Sequence, residues 1–231
     1  MIVAIQTARK GSKSVPNKNI SIVHKKPLFL HSIDIANKIN SIQKVYITTD
    51  CETIKTYSKT HNFNIIDRPE YLSGDSASHH DTMIHAILEI EKIENKKLDL
   101  IVFLLGNTIA AHPFEIDECI QKMLSDHSID SIQSVSKYNM FNPYRAFKIT
   151  NDRLNTVIDS SSLERSNDKN VAGDIWFNNG SFFICRRDIV ISKKGSNPFP
   201  WLGYNILPFK EETKMEVDDK WQLDWIRKCY K

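Results

Sequence analysis

The sequence predicts an α/β fold, with a mainly parallel sheet, helices on both faces and a small protruding arm. Short apolar segments alternate with longer amphipathic segments along most of the chain. This alternation is typical of parallel sheets whose two faces are covered by helices. The segment LIVFLL at 100–105 is apolar at every position, as expected of a strand that is buried on both sides.

Apolar runs predict the strands, and apolar residues spaced three and four positions apart predict the helices. We expect strands at 2–6, 45–48, 64–67, 100–105, 131–135 and 182–185. We expect helices at 27–40, 52–61, 81–94, 115–124 and 218–230. Segment 137–180 breaks this rhythm, because it is rich in asparagine, aspartate, serine and aromatic residues, with short strand-like pieces at 146–149 and 154–157. The sequence therefore predicts one domain, 1–231, with 137–180 as an arm.

Composition narrows the class of protein. The 231 residues are 41% hydrophobic and 26% charged, as in ordinary globular proteins. The net charge is only +3, with no block of like charges, so we expect no nucleic-acid partner. The four cysteines form no C-x-x-C pair, the opening apolar run is too short for a signal peptide, and no apolar run approaches the roughly 18 residues of a membrane span. We expect a cytoplasmic protein with reduced thiols and no membrane partner.

A basic loop follows the first predicted strand. Residues 7–19 contain a single glycine, two serines and four cations, which are Arg9, Lys10, Lys13 and Lys18. In open parallel sheets ligands bind outside the carboxyl ends of strands, and glycine backbone with cations suits a chain of phosphates. One glycine is too few for a Walker A or G-x-G-x-x-G motif. Composition alone leaves open a solvated basic turn.

The order of residues in this loop carries a resemblance. IQTARKGSKSVPNKNI at 5–20 resembles the I-P-A-R-x-G-S-K-x-x-x-x-K-N-I signature of cytidylyltransferases that activate acidic sugars, such as sialic, pseudaminic and legionaminic acids. Further segments similar to that family are VYITTDCETI (45–54), RPEYLSGDSAS (68–78), FNNGSFFICRR (177–187) and KMEVDD (214–219). The resemblance implies a Rossmann-like fold of the nucleotide-diphospho-sugar transferase type. It also implies transfer of CMP from CTP to an acidic sugar, with release of pyrophosphate.

The resemblance also implies roles for matched residues. Arg9 and Lys18 would be the catalytic cations that neutralise the triphosphate. Nucleotide-binding positions would be Ala8, Gly11, Ser12, Lys13, Asn19, Arg68 and Ser78. Two alternatives stay open: Arg68 could form only a surface ion pair, and His79 could replace Ser78 by a shift of one residue. A base other than cytosine also stays open.

The late acidic segment matches the position of the family's paired aspartates, which implies a Mg²⁺ site at Glu216 and Asp218. The two carboxylates are two residues apart on a segment predicted to be extended, so they point to the same side. Mg²⁺ is usually held by one or two carboxylates together with water and substrate oxygens. Glutamate replaces the first aspartate, and a longer side chain requires a shifted metal or backbone. Alternatively, Asp218 or Asp219 caps the terminal helix.

The central strand is followed by a departure from the family pattern. LLGNTIAAHP at 104–113 stands where the sialic-acid enzymes have L-L-Q-P-T-S-P-x-R, so Gly106 replaces glutamine and His112 replaces arginine. The implied acceptor-binding residues are Asn107, Thr108, His112 and Asn179, although His112 could be only a loop residue. Three hypotheses follow: an enzyme for a nonulosonic acid, an enzyme for a different acid such as a phosphonate, and a nucleotide-binding homologue without activity.

The arm is rich in aromatic residues, which are Tyr138, Phe141, Tyr144, Trp176 and Phe177. Exposed apolar patches of this kind usually mark an interface, and in the resembling family this region joins two subunits. We therefore expect a homodimer through the arm. The alternative is that these rings pack on their own domain.

Overall fold

A computed structural model describes residues 1–12, 14–74, 76–138, 141–158, 173–212 and 214–229. Its strands are β1 (Ile2–Thr7), β2 (Ile22–Val23), β3 (Lys26–Pro27), β4 (Lys44–Thr49), β5 (Asn64–Asp67), β6 (Leu100–Leu105), β7 (Ser131–Lys137), β8 (Phe147–Thr150), β9 (Arg153–Thr156), β10 (Trp176–Arg186) and β11 (Ile206–Glu211). Its α-helices are α1 (Leu28–Ala36), α2 (Glu52–Tyr57), α3 (His79–Glu94), α4 (Pro113–Ser125), α5 (Arg187–Ser192) and α6 (Lys220–Cys229).

The central sheet confirms the predicted fold class. Across the described residues it has seven strands in the order β11-β7-β10-β6-β1-β4-β5. β1 pairs in parallel with β4 and β6, β4 with β5, and β7 with β11. β10 runs antiparallel to both β6 and β7. The sheet is thus mainly parallel, and one reversed strand lies inside it.

Helices cover both faces of the sheet because its central strands bury side chains in both directions. On β6, Leu100, Val102 and Leu104 pack in the cluster that contains the apolar residues of α1 and α4. Ile101 and Phe103 point to the opposite cluster, which contains the apolar residues of α3. The continuous apolar run at 100–105 therefore has the physical cause that the sequence suggested, namely burial on both faces.

Several element boundaries differ from the predictions. Helix α1 ends at Ala36 rather than 40, and α2 ends at Tyr57 rather than 61. Helix α3 begins two residues earlier than predicted, because the Ser78 hydroxyl caps it and accepts the Asp81 backbone N–H at 3.2 Å. Helix α6 begins at Lys220, and its predicted last residue lies outside the described part of the chain. Strand β11 and helix α5 were missed.

The arm is narrower than the predicted 137–180. Lys137 is the last residue of β7 and Trp176 is the first of β10, so both ends of the segment belong to the central sheet. The described arm contains the hairpin of β8 and β9, whose residues are all exposed. Residues 159–172 lie outside the described part. No helix that the structure describes is both long and apolar enough to cross a membrane.

Candidate functional site

A cleft of about 380 Å³ opens at the carboxyl ends of β1 and β6. Its charged lining residues are Arg9, Lys18, Arg68, Glu216 and Asp218. Its other lining residues are Thr7, Asn19, His79, Leu105, Asn107, Gln133, Asn178, Phe183, Phe199 and Trp201. The cleft therefore contains the loop predicted to bind phosphates and the acidic pair predicted to bind a metal, from opposite ends of the chain.

Backbone and amide contacts fix the basic loop after β1. The N–H group of Ala8 donates to the carbonyl of Thr48 at 3.2 Å, so the loop begins against β4. The Asn19 side-chain amide donates to the carbonyl of Arg9 at 3.0 Å, which closes the loop on itself. The Arg9 guanidinium donates to the carbonyl of Ser73 at 3.1 Å. These contacts hold the Arg9 and Lys18 side chains at the cleft.

The other predicted loop residues have different positions. Ala8 is buried beneath the loop. Gly11 has a φ of 79°, a conformation that glycine adopts without strain, and it lines a small pocket beside the main cleft. Ser12 is half-buried and lines neither pocket. Lys13 lies outside the described residues.

The acidic segment before α6 is attached to the loop that follows β6. The N–H group of Val217 donates to the Asn107 carbonyl at 2.9 Å, and the Asn107 side-chain amide donates to the Val217 carbonyl at 3.2 Å. Val217 is fully buried, and the residues on either side of it, Glu216 and Asp218, both line the cleft. The prediction that the two carboxylates point to the same side is confirmed.

The Asp218 carboxylate faces the basic loop. It accepts a hydrogen bond from the Lys18 ammonium at 2.8 Å. The backbone N–H groups of Asp218 and Asp219 donate to the Gln222 side-chain carbonyl, at 2.7 and 2.6 Å, so a glutamine satisfies these donors at the start of α6. The Asp218 side chain is therefore turned to the cleft.

Glu216 is accommodated by a glycine on β10. Gly180 has a φ of 72°, and a Cβ atom there would lie 2.1 Å from the Glu216 Cγ atom. Only glycine leaves room for this longer carboxylate, which answers the question raised by the exchange of aspartate for glutamate. Burial raises the pKa of Glu216, and the nearby Asp218 carboxylate raises it further. The pair thus carries unfavourable like charge that a bound cation would offset.

Arg68 is a cleft residue and not part of a surface ion pair. It is buried, and its guanidinium donates to the carbonyl of Thr48 at 2.8 Å. Burial lowers the pKa of Arg68 to about 10, and the neighbouring Asp50 carboxylate opposes that shift. A buried cation at a cleft wall is costly, and the binding of a polar ligand would reduce this cost.

His79, not Ser78, lines the cleft. The Ser78 hydroxyl serves as the cap of α3, so its orientation is set by the helix. Burial, together with the nearby Arg68 charge, lowers the pKa of His79 to about 4. The imidazole is therefore neutral near pH 7, and it can both donate and accept a hydrogen bond.

Of the four predicted acceptor residues, the structure brings only Asn107 to the cleft. Thr108 is buried, and its hydroxyl donates to the Met215 carbonyl at 3.3 Å. His112 is exposed and caps α4, where its Nδ1 atom accepts the Phe114 N–H. Asn179 is buried in β10 and bonds to Ser134 and Ser136. These three side chains form hydrogen bonds within the fold and do not line the cleft.

The structure has no room for a large side chain at position 106, directly after β6. A Cβ atom there would lie 2.8 Å from the Ala8 Cβ atom and 3.3 Å from the Asn19 side chain. The basic loop therefore closes directly over Gly106. In this structure a glutamine could not occupy that position without moving the loop.

The cleft also contains residues that were not predicted from the sequence, namely Gln133, Asn178, Phe199 and Trp201. One signal was present in the chain: Gln133 is the largest polar residue of the predicted strand SIQSV. The aromatic residues follow α5 in a segment without strand or helix periodicity, so no local pattern indicates that they line the cleft.

The fold of this chain is shared with solved structures of nucleotidyltransferases. The structure resembles a CMP:2-keto-3-deoxy-manno-octonic acid synthetase complexed with CTP, with a TM-score of 0.69, 17% identity and coverage of 98% of this chain and 96% of that chain. It also resembles a putative glucose-1-phosphate thymidylyltransferase from Bacillus anthracis, with a TM-score of 0.60, 12% identity and coverage of 98% and 94%. At these identities the likeness concerns the fold.

The particular family follows from the sequence. The chain belongs to the cytidylyltransferase family, whose model matches residues 3–222. It is 28% identical over 222 residues to an N-acylneuraminate cytidylyltransferase from Oncorhynchus mykiss, covering 96% of this chain and 49% of that protein. It is 25% identical over 150 residues to a bifunctional protein from Helicobacter pylori named pseudaminic acid cytidylyltransferase and UDP-2,4-diacetamido-2,4,6-trideoxy-beta-L-altropyranose hydrolase, covering 64% and 28%. The chain spans at most about half the length of these relatives.

Proposed function

We propose that this protein transfers CMP from CTP to an acidic sugar of the nonulosonic type and releases pyrophosphate. One observation carries the proposal: Lys18 of the basic loop and Asp218 of the acidic segment meet in a single cleft, 2.8 Å apart. A nucleotidyl transfer needs cations that bind the phosphates and, close to them, carboxylates that bind a metal ion. This cleft contains both kinds of residue.

The residues of the cleft would contact different parts of the nucleotide. Arg9 and Lys18 bind the triphosphate and offset its negative charge, which grows on the leaving pyrophosphate. The buried Arg68 and the neutral His79 lie where the nucleoside would extend from the loop towards β4 and α3. Asn19 keeps the loop closed through its bond to the Arg9 carbonyl, so its part in nucleotide binding is to hold the cations in place.

The carboxylate pair fits a magnesium ion. Among the described residues, no group of three or more histidine, cysteine, aspartate or glutamate side chains is arranged to hold a metal ion. Mg²⁺ needs only one or two carboxylates when substrate oxygens and water supply the rest. Burial first, and the Asp218 charge second, raise the pKa of Glu216, and a bound cation would offset both effects. Glu216 and Asp218 would hold the ion, which would stabilise charge on the phosphate oxygens.

In the proposed reaction, a hydroxyl oxygen of the acceptor forms a bond to the α-phosphorus of CTP. The bond from that phosphorus to the bridging oxygen breaks, pyrophosphate leaves and the hydroxyl proton passes to solvent. The protein contributes by aligning the two reactants and by placing charge around the phosphates. No side chain is assigned as a general base.

The test combines binding with turnover. Titration calorimetry with CTP and Mg²⁺ measures association, and pyrophosphate release with a panel of acidic sugars measures transfer. Release that requires CTP, Mg²⁺ and a nonulosonic acid together supports the proposal. An absence of CTP binding at every Mg²⁺ concentration would sink it, and turnover with UTP or GTP in preference to CTP would correct the base.

The proposal includes a cytoplasmic homodimer formed through the arm. Phe147 and Ile149 of β8 and Leu154 of β9 are 56%, 77% and 65% exposed, which is unfavourable for apolar side chains in water. A second copy of the chain would cover this hairpin. The cytoplasmic setting is supported by the four cysteines, all of which are free thiols.

A further inference from the structure

The two halves of the cleft differ in chemistry. The half next to β1 and β5 contains the cations Arg9, Lys18 and Arg68. In the half over β7 and β10, the lining residues from these strands and from the segment after α5 are uncharged, namely Gln133, Asn178, Phe183, Phe199 and Trp201, and the Glu216 side chain packs there against Gly180 of β10. Glu216 and Asp218 lie in the same cleft. If CTP occupies the cationic half, as proposed above, the uncharged half remains for the acceptor.

A bulge in β10 brings an amide into this uncharged half. The pairing of β10 with β7 changes register between Asn178, which faces Val135, and Phe183, which faces Gln133. The Asn178 side-chain carbonyl accepts the Gly180 N–H at 2.9 Å, and this bond holds the bulge. Bulges are common next to active sites because they redirect a side chain. Here the redirected residue is Asn178.

Gln133 and Asn178 form an oriented amide pair. The Gln133 Nε2 atom donates to the Asn178 Oδ1 atom at 2.9 Å and to the Ser134 carbonyl at 3.0 Å. These bonds fix which end of each amide faces its neighbour. Within the described residues, no hydrogen bond is made by the Gln133 Oε1 atom or by the Asn178 Nδ2 atom. The pair therefore offers one acceptor and one donor to a ligand, on residues that both line the cleft.

Aromatic rings form the wall of the same half. The rings of Phe199 and Trp201 are 5.3 Å apart in an edge arrangement, and the Trp201 ring also contacts the His79 ring at 5.8 Å. Phe199 is 39% exposed, so part of its ring is open to the solvent. Apolar walls with a few fixed polar groups are typical of small-molecule sites. The C–H face of a sugar ring suits such a wall, and its hydroxyl groups suit the amide pair.

We propose that Gln133 and Asn178 determine acceptor specificity by binding a neutral group that both donates and accepts a hydrogen bond. A hydroxyl or acylamino group on a polyhydroxylated ring has this chemistry, and the ring packs against Phe199 and Trp201. A small phosphonate has neither such a group nor a ring that could pack against Phe199 and Trp201. The inference rests on the proposed function, and it adds the two residues that would recognise the sugar ring.

Asn178→Asp is the sharpest test, because it changes only the free end of the amide. The new carboxylate keeps the oxygen that accepts from Gly180 and Gln133, so the bulge keeps its bonds, while the Nδ2 donor is lost. The probes are N-acetylneuraminate and analogues with single hydroxyl or acylamino groups replaced by hydrogen. Binding is measured by calorimetry in the presence of CTP and Mg²⁺, and turnover by pyrophosphate release.

In the native protein, one deletion analogue should bind roughly tenfold more weakly than its parent, the scale of one neutral hydrogen bond. In Asn178→Asp this difference should be clearly smaller, because the parent loses its bond from Asn178 Nδ2 and keeps only its bond to Gln133 Oε1. Repulsion of the acid by the new charge acts on parent and analogue alike, so it cancels in the ratio. Asn40→Asp, an exposed residue in the loop before β4, adds the same charge away from the cleft and should keep the native ratio.

A second variant tests the wall. Phe199→Ala should raise the acceptor KM several-fold with little change in CTP affinity, whereas Phe114→Ala, at an exposed ring on α4, should change neither. An unaltered analogue ratio in Asn178→Asp, binding of no polyhydroxylated acid to the CTP-loaded protein, or preferred turnover of 2-aminoethylphosphonate would each overturn the inference. All three leave CTP binding intact, so they are distinguishable from failure of the proposed function, in which CTP itself does not bind.

Discussion

Lys18 and Asp218 are 200 positions apart in the sequence, and their side chains form an ion pair of 2.8 Å inside the cleft. The two side chains differ in exposure to solvent, because that of Lys18 is 19% exposed and that of Asp218 is 62% exposed. The ammonium is thus held near the cleft wall while the carboxylate stays open to solvent. Under the proposed function, binding of CTP and Mg²⁺ would separate this pair, because phosphate oxygens would bind Lys18 and the metal would bind Asp218.

Asp218→Asn removes one of the two proposed metal ligands. We expect loss of Mg²⁺-dependent pyrophosphate release by about 100-fold or more, with an unchanged unfolding midpoint, because the exposed side chain contributes little to stability. Glu118→Gln, at an exposed position on α4, is the control for removal of a carboxylate charge. Normal turnover by Asp218→Asn would place the metal elsewhere.

Arg9→Ala tests the basic loop. We expect CTP affinity to fall by about 10- to 100-fold, the range of one or two hydrogen bonds to a charged group. Calorimetry measures the loss, and Lys59→Ala, at an exposed lysine after α2, controls for the change in net charge. If both variants bind CTP alike, Arg9 does not contact the triphosphate.

Gly180→Ala tests the accommodation of Glu216. The added methyl group would collide with the Glu216 side chain, and φ of 72° is unfavourable for alanine, so we expect about 1–3 kcal/mol of lost stability. Turnover should fall as well, because the carboxylate must move. Gly74→Ala has open space around its Cβ position and should behave like the native protein in urea unfolding. Equal stability of the two variants would contradict the packing described here.

The neutral His79 predicts a dependence of stability on pH. Its pKa is about 4 in the folded protein, against an ordinary value of 6.5 that applies to the unfolded chain. Between these values the unfolded chain binds the proton and the folded protein does not, so stability falls as the pH drops from 6.5 towards 4. In His79→Phe this decline should be smaller. Urea unfolding at pH 7.5 and 4.5 measures it.

His127→Gln, at an exposed histidine after α4, is the matched control for the pH experiment, and it should retain the native decline. Parallel curves for the native protein and His79→Phe would mean that the imidazole is hydrated enough to titrate normally. Such a result would also remove the argument that a neutral ring faces the nucleoside.

The arm makes a prediction about assembly. Multi-angle light scattering should give twice the chain mass for the native protein, and Ile149→Glu should shift it towards the monomer, because a charge would be buried at the interface. Ile93→Glu on α3, at a residue 61% exposed, is the control and should keep the native mass. A monomeric native protein at micromolar concentration would refute the homodimer.

How far the sequence could predict this protein depends on whether the signal was local. Strand β6 was predictable, because its burial on both faces requires consecutive apolar residues. The position of Arg9 at the sheet edge was predictable, because the basic loop directly follows the first apolar run. Strand β11 was missed because it is only partly buried and carries Pro208, so it lacks an apolar run. Its place in the sheet comes from pairing with β7, which no local pattern encodes.

The site shows the same limit. Ser78 and His79 are neighbours, and only the start of α3 decides which of them turns to the cleft. Asn178 and Asn179 are also neighbours, and the bulge in β10 sends the first to the cleft and buries the second. Such choices depend on backbone geometry that long-range pairing creates, so the sequence alone does not decide which of two neighbouring residues lines the cleft.

The contact of Gly106 with Ala8 and Asn19 has a consequence for protein engineering. The basic loop packs directly on the backbone of Gly106, which has no side chain. Gly106→Gln would therefore displace the basic loop before the new side chain could contact an acceptor. A graft of the sialic-acid motif into 104–113 would therefore damage CTP affinity first. Retargeting this scaffold to a new sugar should begin on β7 and β10, where side chains can be exchanged without disturbing the triphosphate.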